Sequence, residues 1–366
     1  MFYSVKNFEV FRNKTVIITG HTGFKGAWLS FWLKILGAKI IGISLNIPTK
    51  PSLFEIIIGN KHIKSYRCDI KNFFKLKKII LKHKPDFVFH LAAQALVKKS
   101  YINPLLTWNS NLLGTVNLLE SLRHLKKNCI AVIITSDKSY RNLEIKKGYK
   151  EEDQLGGHDP YSASKGAAEF AISSYINSYF QKKSKVKIGI ARAGNVIGGG
   201  DWSEDRLLPD CIKSWSKGKK VNIRNPYSTR PWQHVLEAVS GYILLAVKLK
   251  LDTKIHGEAF NFGPRLSHNY SVLSLLNRIK KIWPAVLWST TNNRKKFKES
   301  NLLKLNCNKA KKFLNWESIL SFDENINMTI DWYRAYYKNK DSKKMKIFSQ
   351  NQIIQFTNFI TKRSKK

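Results

Sequence analysis

The segment KTVIITGHTGFKGAW, residues 14–28, decides the fold. Its first half, Thr15 to Thr19, is a short β-branched run without polar alternation, the pattern of a strand buried on both faces of a parallel sheet. Its second half spaces Gly20, Gly23 and Gly26 three residues apart, where that strand hands over to a helix. Each glycine has a task at such a junction. One admits a tight turn, one lets the backbone approach a pyrophosphate, and one lets helix and sheet pack closely. The helix N-terminus then faces the phosphates. A dinucleotide is the expected ligand, with Thr22 and Phe24 of the turn as further contacts.

The same alternation continues outward. AWLSFWLKILGAK (27–39) has helical periodicity with a stop at Gly37, and IIGISL (40–45) is a second strand. DFVFHLAA (86–93), CIAVIITS (129–136) and KVKIGIARAGNVIG (185–198) are further apolar runs, and Lys-rich helical segments such as LKKIILKHK lie between them. The pattern predicts an α/β fold, a Rossmann-like doubly wound parallel sheet, over residues 10–198, with later returns of the chain allowed. Residues 199–340 are loop-rich in Asn, Arg, Trp and Pro and predict a smaller mixed α/β substrate domain. Residues 341–366 are polar and basic and predict a partly ordered tail.

The 366 residues carry 64 Lys+Arg against 25 Asp+Glu, a net charge of +39. Nucleic acid would be the specific reading of that excess. Yet the basic residues are mostly Lys, spread over the whole chain, which fits compositional drift better than an Arg-rich reading surface. No nucleic-acid partner is expected, though the field would attract an anionic small substrate. Cys68, Cys129, Cys211 and Cys307 lie far apart with no CxxC and no His set beside them, so no metal is expected and the thiols read as free. The first residues lack the long apolar core of a signal peptide, and no apolar run reaches about 18 residues. A cytoplasmic location is expected, with no membrane partner.

DPYSASKGAAEFA (159–171) carries Tyr161 and Lys165 four apart, on one helix face. A tyrosine whose free pKa is ~10 is a poor base at neutral pH. An ammonium one turn away, aided by a positive nicotinamide ring, would stabilise its phenolate. Tyr179 with Lys183 and Tyr336 with Lys340 share the spacing, but they sit in Lys-rich segments that read as surface. Only Tyr161 follows, by about 25 positions, a strand end as polar as VIITSDKSY (132–140). The choice between NAD and NADP stays open, because Asn46 stands where an acid or an Arg would decide it. Asp69 and Ile70 are candidates for the adenine border, and Ala92 lies at the fourth strand's end. His90 reads as a packed strand-end residue.

Together the glycine turn, HLAAQ, TSDKSY, the Tyr161–Lys165 pair and ARAGNVIGGG resemble the extended short-chain dehydrogenase/reductase family. Within it, TGHTGFKGAWL, PTKPSLFE, HLAAQALVKKSY, YSASKGAAE, GGGDWSEDRLLPD, RNPYSTRPWQHV and FNFGP are similar to the CDP-type nucleotide-sugar 4,6-dehydratases, across residues 10 to 340. The resemblance implies NAD as cofactor and CDP-glucose as small-molecule substrate. It implies a cycle of oxidation at C4, loss of water across C5–C6 and hydride return to C6. Ser136 matches the hydroxyl that holds the 4-oxygen beside Tyr161, and Asp137 the acid that protonates the leaving 6-hydroxyl. Asp137 would then need a pKa well above the free value of ~3.9. Lys138 stands where many relatives carry Glu, either as the C5 base or as a cation on the enolate. Gln94, with Lys98 or Lys99, lines the pocket in this reading. Arg230 is the expected diphosphate partner, Arg192 and Asn195 sugar–phosphate contacts, and Leu208, Ile223 and Arg224 the base wall. A homodimer or homotetramer, paired through helices including that of Tyr161, is also implied. The rivals are a 4-epimerase, a dTDP- or GDP-sugar dehydratase, and a non-catalytic cofactor- or RNA-binding protein on the same fold.

Overall fold

The computed structural model describes residues 8–181, 183–290 and 302–363. Residues 1–7, part of the N-terminal stretch judged for a signal, and residues 364–366 of the tail lie outside the described residues. Seven strands form one sheet: β1 (Thr15–Thr19), β2 (Lys39–Ser44), β3 (Lys64–Arg67), β4 (Phe87–His90), β5 (Cys129–Ile134), β6 (Val186–Ala193) and β7 (Ala259–Phe262). Their spatial order is β7-β6-β5-β4-β1-β2-β3, and every pairing is parallel. β1 has Ile40 opposite Val16 on one side and Phe87 opposite it on the other. The strand order reverses there, which is where ligands settle in open α/β sheets.

Alternate side chains feed two layers. Val16, Ile18, Phe87, Phe89, Ile130 and Val132 pack toward α1 (Phe24–Ile35) and α5 (Val235–Leu251). Ile17, Val88, Ala131, Ile133 and Ile188 pack toward α2 (Phe73–His83), α3 (Gly114–Arg123) and α4 (Pro160–Ser178). Burial on both faces explains why the strands read as unbroken apolar runs. The chain returns to this sheet after residue 198, as α5 and as β7. Between and after those returns it forms short two-stranded pairs, such as Val221–Ile223 with Trp288–Thr290.

The tail departs from expectation. Residues 342–363 form a helix, α7 (Ser342–Arg363), which follows α6 (Phe322–Asn339) and buries Met345, Ile353, Phe356 and Ile360. Phe356 meets the Trp32 ring of α1 edge-on at 5.8 Å, and Trp332 Nε1 of α6 donates to Ser349 Oγ at 2.9 Å. The four buried apolar residues are interleaved with Lys, Gln, Asn, Ser and Thr, so composition alone read the segment as polar. Tyr336 is likewise buried rather than solvated, stacked on Trp332 and edge-on to Trp202. No helix among the described residues is long and apolar enough to cross a membrane.

Candidate active site

The glycine turn closes as its spacing requires. Gly20 has φ +75, and a Cβ there would stand 2.8 Å from Ala92 N; at Gly26 it would stand 2.1 Å from Gly20 O. Neither position accepts a side chain. Thr22 Oγ1 donates to Asn46 O at 2.7 Å, and Ala92 N donates to Thr19 Oγ1 at 3.2 Å, so the ends of β1, β2 and β4 are tied around the turn. This cradle fits a dinucleotide: strand, turn and helix approach more closely than any side chain would allow, with the N-terminus of α1 at the turn where phosphates would lie. His21, not singled out by the sequence, is clamped between Ser44 Oγ and Ser65 Oγ at 2.8 Å each, and burial lowers its pKa to about 4. Asp69 accepts from the Lys71 backbone at 3.0 Å, and Ile70 packs against Gly114.

β5 ends at Ile134, and Asp137–Ser139 form a single 3-10 turn. Ser136 caps that turn: its Oγ accepts from Lys138 N at 3.2 Å and donates to Asp137 Oδ1 at 3.0 Å. The Asp137 carboxyl is only 4% exposed. Burial raises its pKa, against the opposing pull of Lys138, the Ser136 hydrogen bond and Lys25. The expectation of a carboxyl inclined to hold its proton therefore has a structural cause.

Tyr161 enters from α4. Asp159 caps this helix, its Oδ1 accepting from Tyr161 N and Ser162 N at 3.0 Å each, with Pro160 at the first position. Ser136 acts on the Tyr161 hydroxyl and donates to Asp137, so tyrosine, serine and aspartate form one cluster of polar groups. In the protein alone, burial raises the Tyr161 pKa and outweighs the Ser136 hydrogen bond that lowers it. This is opposite to the direction expected from Lys165. Lys165, itself buried, is lowered to about 8 by burial, with Glu169 on the next turn opposing. His90 bridges Thr19 and Thr115, the packing role read for it.

Several expected substrate contacts are otherwise employed. Arg192 is spent inside the protein: Nε donates to Glu169 Oε1 at 2.9 Å, and one terminal nitrogen donates to Tyr140 Oη at 2.6 Å and Glu151 O at 2.9 Å. The pair with Glu169 is 5% and 2% exposed, and Glu169 Oε1 also accepts from Thr135 Oγ1, bracing the strand end that carries Ser136. Gln94 braces its own loop through Leu96 and Thr107. Leu208 and Ile223 lie in the main core, 3% and 2% exposed, rather than on an open wall. Asn195 and Arg224 are exposed, and Arg230 is half-buried with one nitrogen donating to Thr229 O. Lys98 forms an exposed ion pair with Asp205 at 2.9 Å, while Lys99 is exposed.

Besides His21, three residues passed unnoticed in the sequence. Asn111 Nδ2 donates to Gln94 O at 3.1 Å and Ser164 Oγ at 2.9 Å, and Ser164 donates to Tyr161 O, so Asn111 holds the tyrosine's turn in place. Arg206 pairs with Asp201 at 3.2 Å and acts electrostatically on Tyr161. Lys25, between Gly23 and Gly26, feels Arg206, Asp137, Lys165 and Asp201, and burial lowers it to about 8. A cation in the first turn of a helix opposes the dipole, and that conflict was the available signal.

Comparison with known proteins agrees with this arrangement. The family model described as GDP-mannose 4,6 dehydratase matches residues 17–329. The chain is 42% identical over 361 residues to CDP-glucose 4,6-dehydratase of Salmonella typhimurium, covering 98% of this chain and 99% of that protein. Among solved structures, an epimerase of Methanothermobacter thermautotrophicus superposes with a TM-score of 0.80 at 24% identity, over 91% of this chain and 96% of that one. UDP-glucose 4-epimerase of Brucella ovis, solved in complex with NAD, does so with a TM-score of 0.75 at 18% identity, over 87% and 98%.

Proposed function

The chain belongs to the GDP-mannose 4,6-dehydratase family, within the extended short-chain dehydrogenase/reductases, and on that premise we propose that it dehydrates CDP-glucose to CDP-4-dehydro-6-deoxyglucose. The observation that carries the reading is the cluster of Tyr161, Ser136 and a buried Asp137 at the carboxyl end of β5, with Ser136 donating to Asp137 and acting on the Tyr161 hydroxyl. An epimerase has no use for that acid. The specificity for a CDP-sugar is supported by the 42% identical relative and by Lys138 in place of Glu.

NAD, when bound in the Gly20–Gly26 cradle with Thr22 and Phe24 in its turn, supplies the acceptor and donor of a hydride. The chain's own residues do the rest. Tyr161 takes the proton of the sugar 4-hydroxyl while Ser136 holds the 4-oxygen. Lys165, one turn along, provides the cation that stabilises the phenolate. The resulting ketone acidifies the C5 hydrogen, and Asp137, whose pKa burial raises, gives its proton to the departing 6-hydroxyl. Lys138 removes the C5 proton or holds the enolate. Solvent exchange at C5 that persists in Lys138→Met selects the second role; its loss selects the first.

Arg230 and Arg224 are offered for the diphosphate and the base side, Asn195 for the sugar side. A cytoplasmic enzyme acting in deoxysugar biosynthesis is consistent with four free cysteines and with this substrate. We also read the chain as a homo-oligomer, because Tyr101, Ile102, Leu105, Leu113 and Phe170 leave apolar side chains exposed along the helices around α3 and α4. The test of the function is incubation with CDP-, dTDP-, UDP- and GDP-hexoses, watching for a 4-keto product. CDP-glucose should be dehydrated. If it is untouched while another hexose reacts, the substrate assignment is wrong.

A further inference from the structure

Tyr242 of α5 is wholly buried, and its hydroxyl has no hydrogen-bond partner among the described residues. A phenol enclosed without an acceptor destabilises a fold relative to phenylalanine, so its retention asks for a use. Its position follows from the way α5 lies on the sheet. A Cβ at Gly198 would meet Val235 at 2.6 Å, and a Cβ at Gly189 would meet Leu249 at 2.8 Å and Leu245 at 3.2 Å. Val235, Tyr242, Leu245 and Leu249 thus share the stripe that faces the sheet, with the helix N-terminus at the strands' carboxyl ends. Helical side chains lean toward the N-terminus, so the Tyr242 hydroxyl projects toward the end of β5. Phe262 holds the ring edge-on at 5.9 Å. The ionisable groups that act on the hydroxyl are Asp137 and Tyr161.

The other groups facing Asp137 are Ser136, Lys138, Lys25 and Tyr161. Ser136 occupies its Oδ1, while Oδ2 lies against Gly194, where a Cβ would come within 3.0 Å. We propose that Tyr242 is a positioning residue for Asp137: its hydroxyl donates to the Asp137 carboxyl across one internal water. That bond fixes the carboxyl's orientation from below. During dehydration the Asp137 proton passes to the sugar 6-oxygen and the C6–O bond breaks, while the C5 proton passes to the base at C5 (Lys138 where it has that role) and the C5–H electron pair becomes the C5–C6 double bond. Asp137 is left as a carboxylate, which Tyr242 stabilises while keeping its own proton. This last role rests on the dehydratase reading; the hydrogen bond does not.

The test is Tyr242→Phe, which keeps the ring against Phe262 and removes only the oxygen. Infrared difference spectra of the ligand-free protein identify the Asp137 band as the one lost in Asp137→Asn. In Tyr242→Phe that band should shift, and dehydration should slow by about tenfold with C4 oxidation unchanged, equivalent to one 1.4 kcal/mol step. A band in the same position in Tyr242→Phe and the parent overturns the proposal. A shifted band in a protein that dehydrates no nucleotide sugar upholds the hydrogen bond and rejects the dehydratase reading instead.

Discussion

Asp137 and Lys165 illustrate what one residue's surroundings do to its chemistry. Both are charged side chains taken out of water, and burial moves them in opposite directions, the acid up and the base down. The sequence made both residues visible, because three polar groups at an apolar strand end and a Tyr–Lys pair one turn apart are local patterns. It did not make the direction at Tyr161 visible, since burial there depends on contacts distant in the chain. For the acid, Asp137→Asn should still oxidise C4 and then stall before water loss; full turnover would remove Asp137 from the mechanism. For the base, a drop from 10.5 to about 8 corresponds to about 3 kcal/mol of destabilisation near neutral pH. Between about 8 and 10.5 the unfolded chain binds more protons than the folded one, so stability gains as pH rises through that window. Lys165→Met should therefore lose C4 oxidation yet resist urea by about 3 kcal/mol more than the parent near neutral pH. That margin should shrink toward pH 10.5, and unfolding curves with a constant margin would contradict the burial account.

At the scale of elements, the site is a strand end and a helix bolted together. Glu169 on α4 ties Arg192 on β6 to Thr135 after β5, and so fixes the helix that presents Tyr161 to the turn that presents Ser136. The alternation of strands and helices was legible in the apolar periodicity, and so was the glycine turn. The lock was not, because Arg192 and Glu169 meet through topology and an isolated Arg at a strand end reads equally well as a phosphate partner. The burial of Leu208 and Ile223 was illegible for the same reason: an apolar residue in a loop-rich stretch gives no sign of which side faces the core. Arg192→Met leaves Glu169 buried without its cation and should cost about 3–5 kcal/mol in denaturant unfolding. A loss within 1 kcal/mol would show the pair to be dispensable for the fold. Helix α7 was illegible because its apolar residues are sparse, yet it covers Trp32. Removing residues 341–366 should lower the melting temperature by several degrees; an unchanged melt would mean that α7 contributes nothing to the core.

Over the whole molecule, two features read from composition remain separable by experiment. The +39 charge is spread over the whole sequence, and Tyr101, Ile102, Leu105, Leu113 and Phe170 are exposed on the helices around α3 and α4. If the chain pairs through these helices as proposed, Phe170→Glu should sediment as a monomer where the parent sediments as an oligomer; a parent that is monomeric, or an unaltered coefficient, would reject that interface. Fold, cofactor cradle, acid and tyrosine all converge on a reaction whose redox balance closes within one substrate molecule. The measurement that tests this most directly uses CDP-glucose carrying deuterium at C4. The expected product is the 4-keto-6-deoxy sugar with the deuterium at C6. Deuterium retained at C4 of an inverted sugar would identify an epimerase and contradict the account.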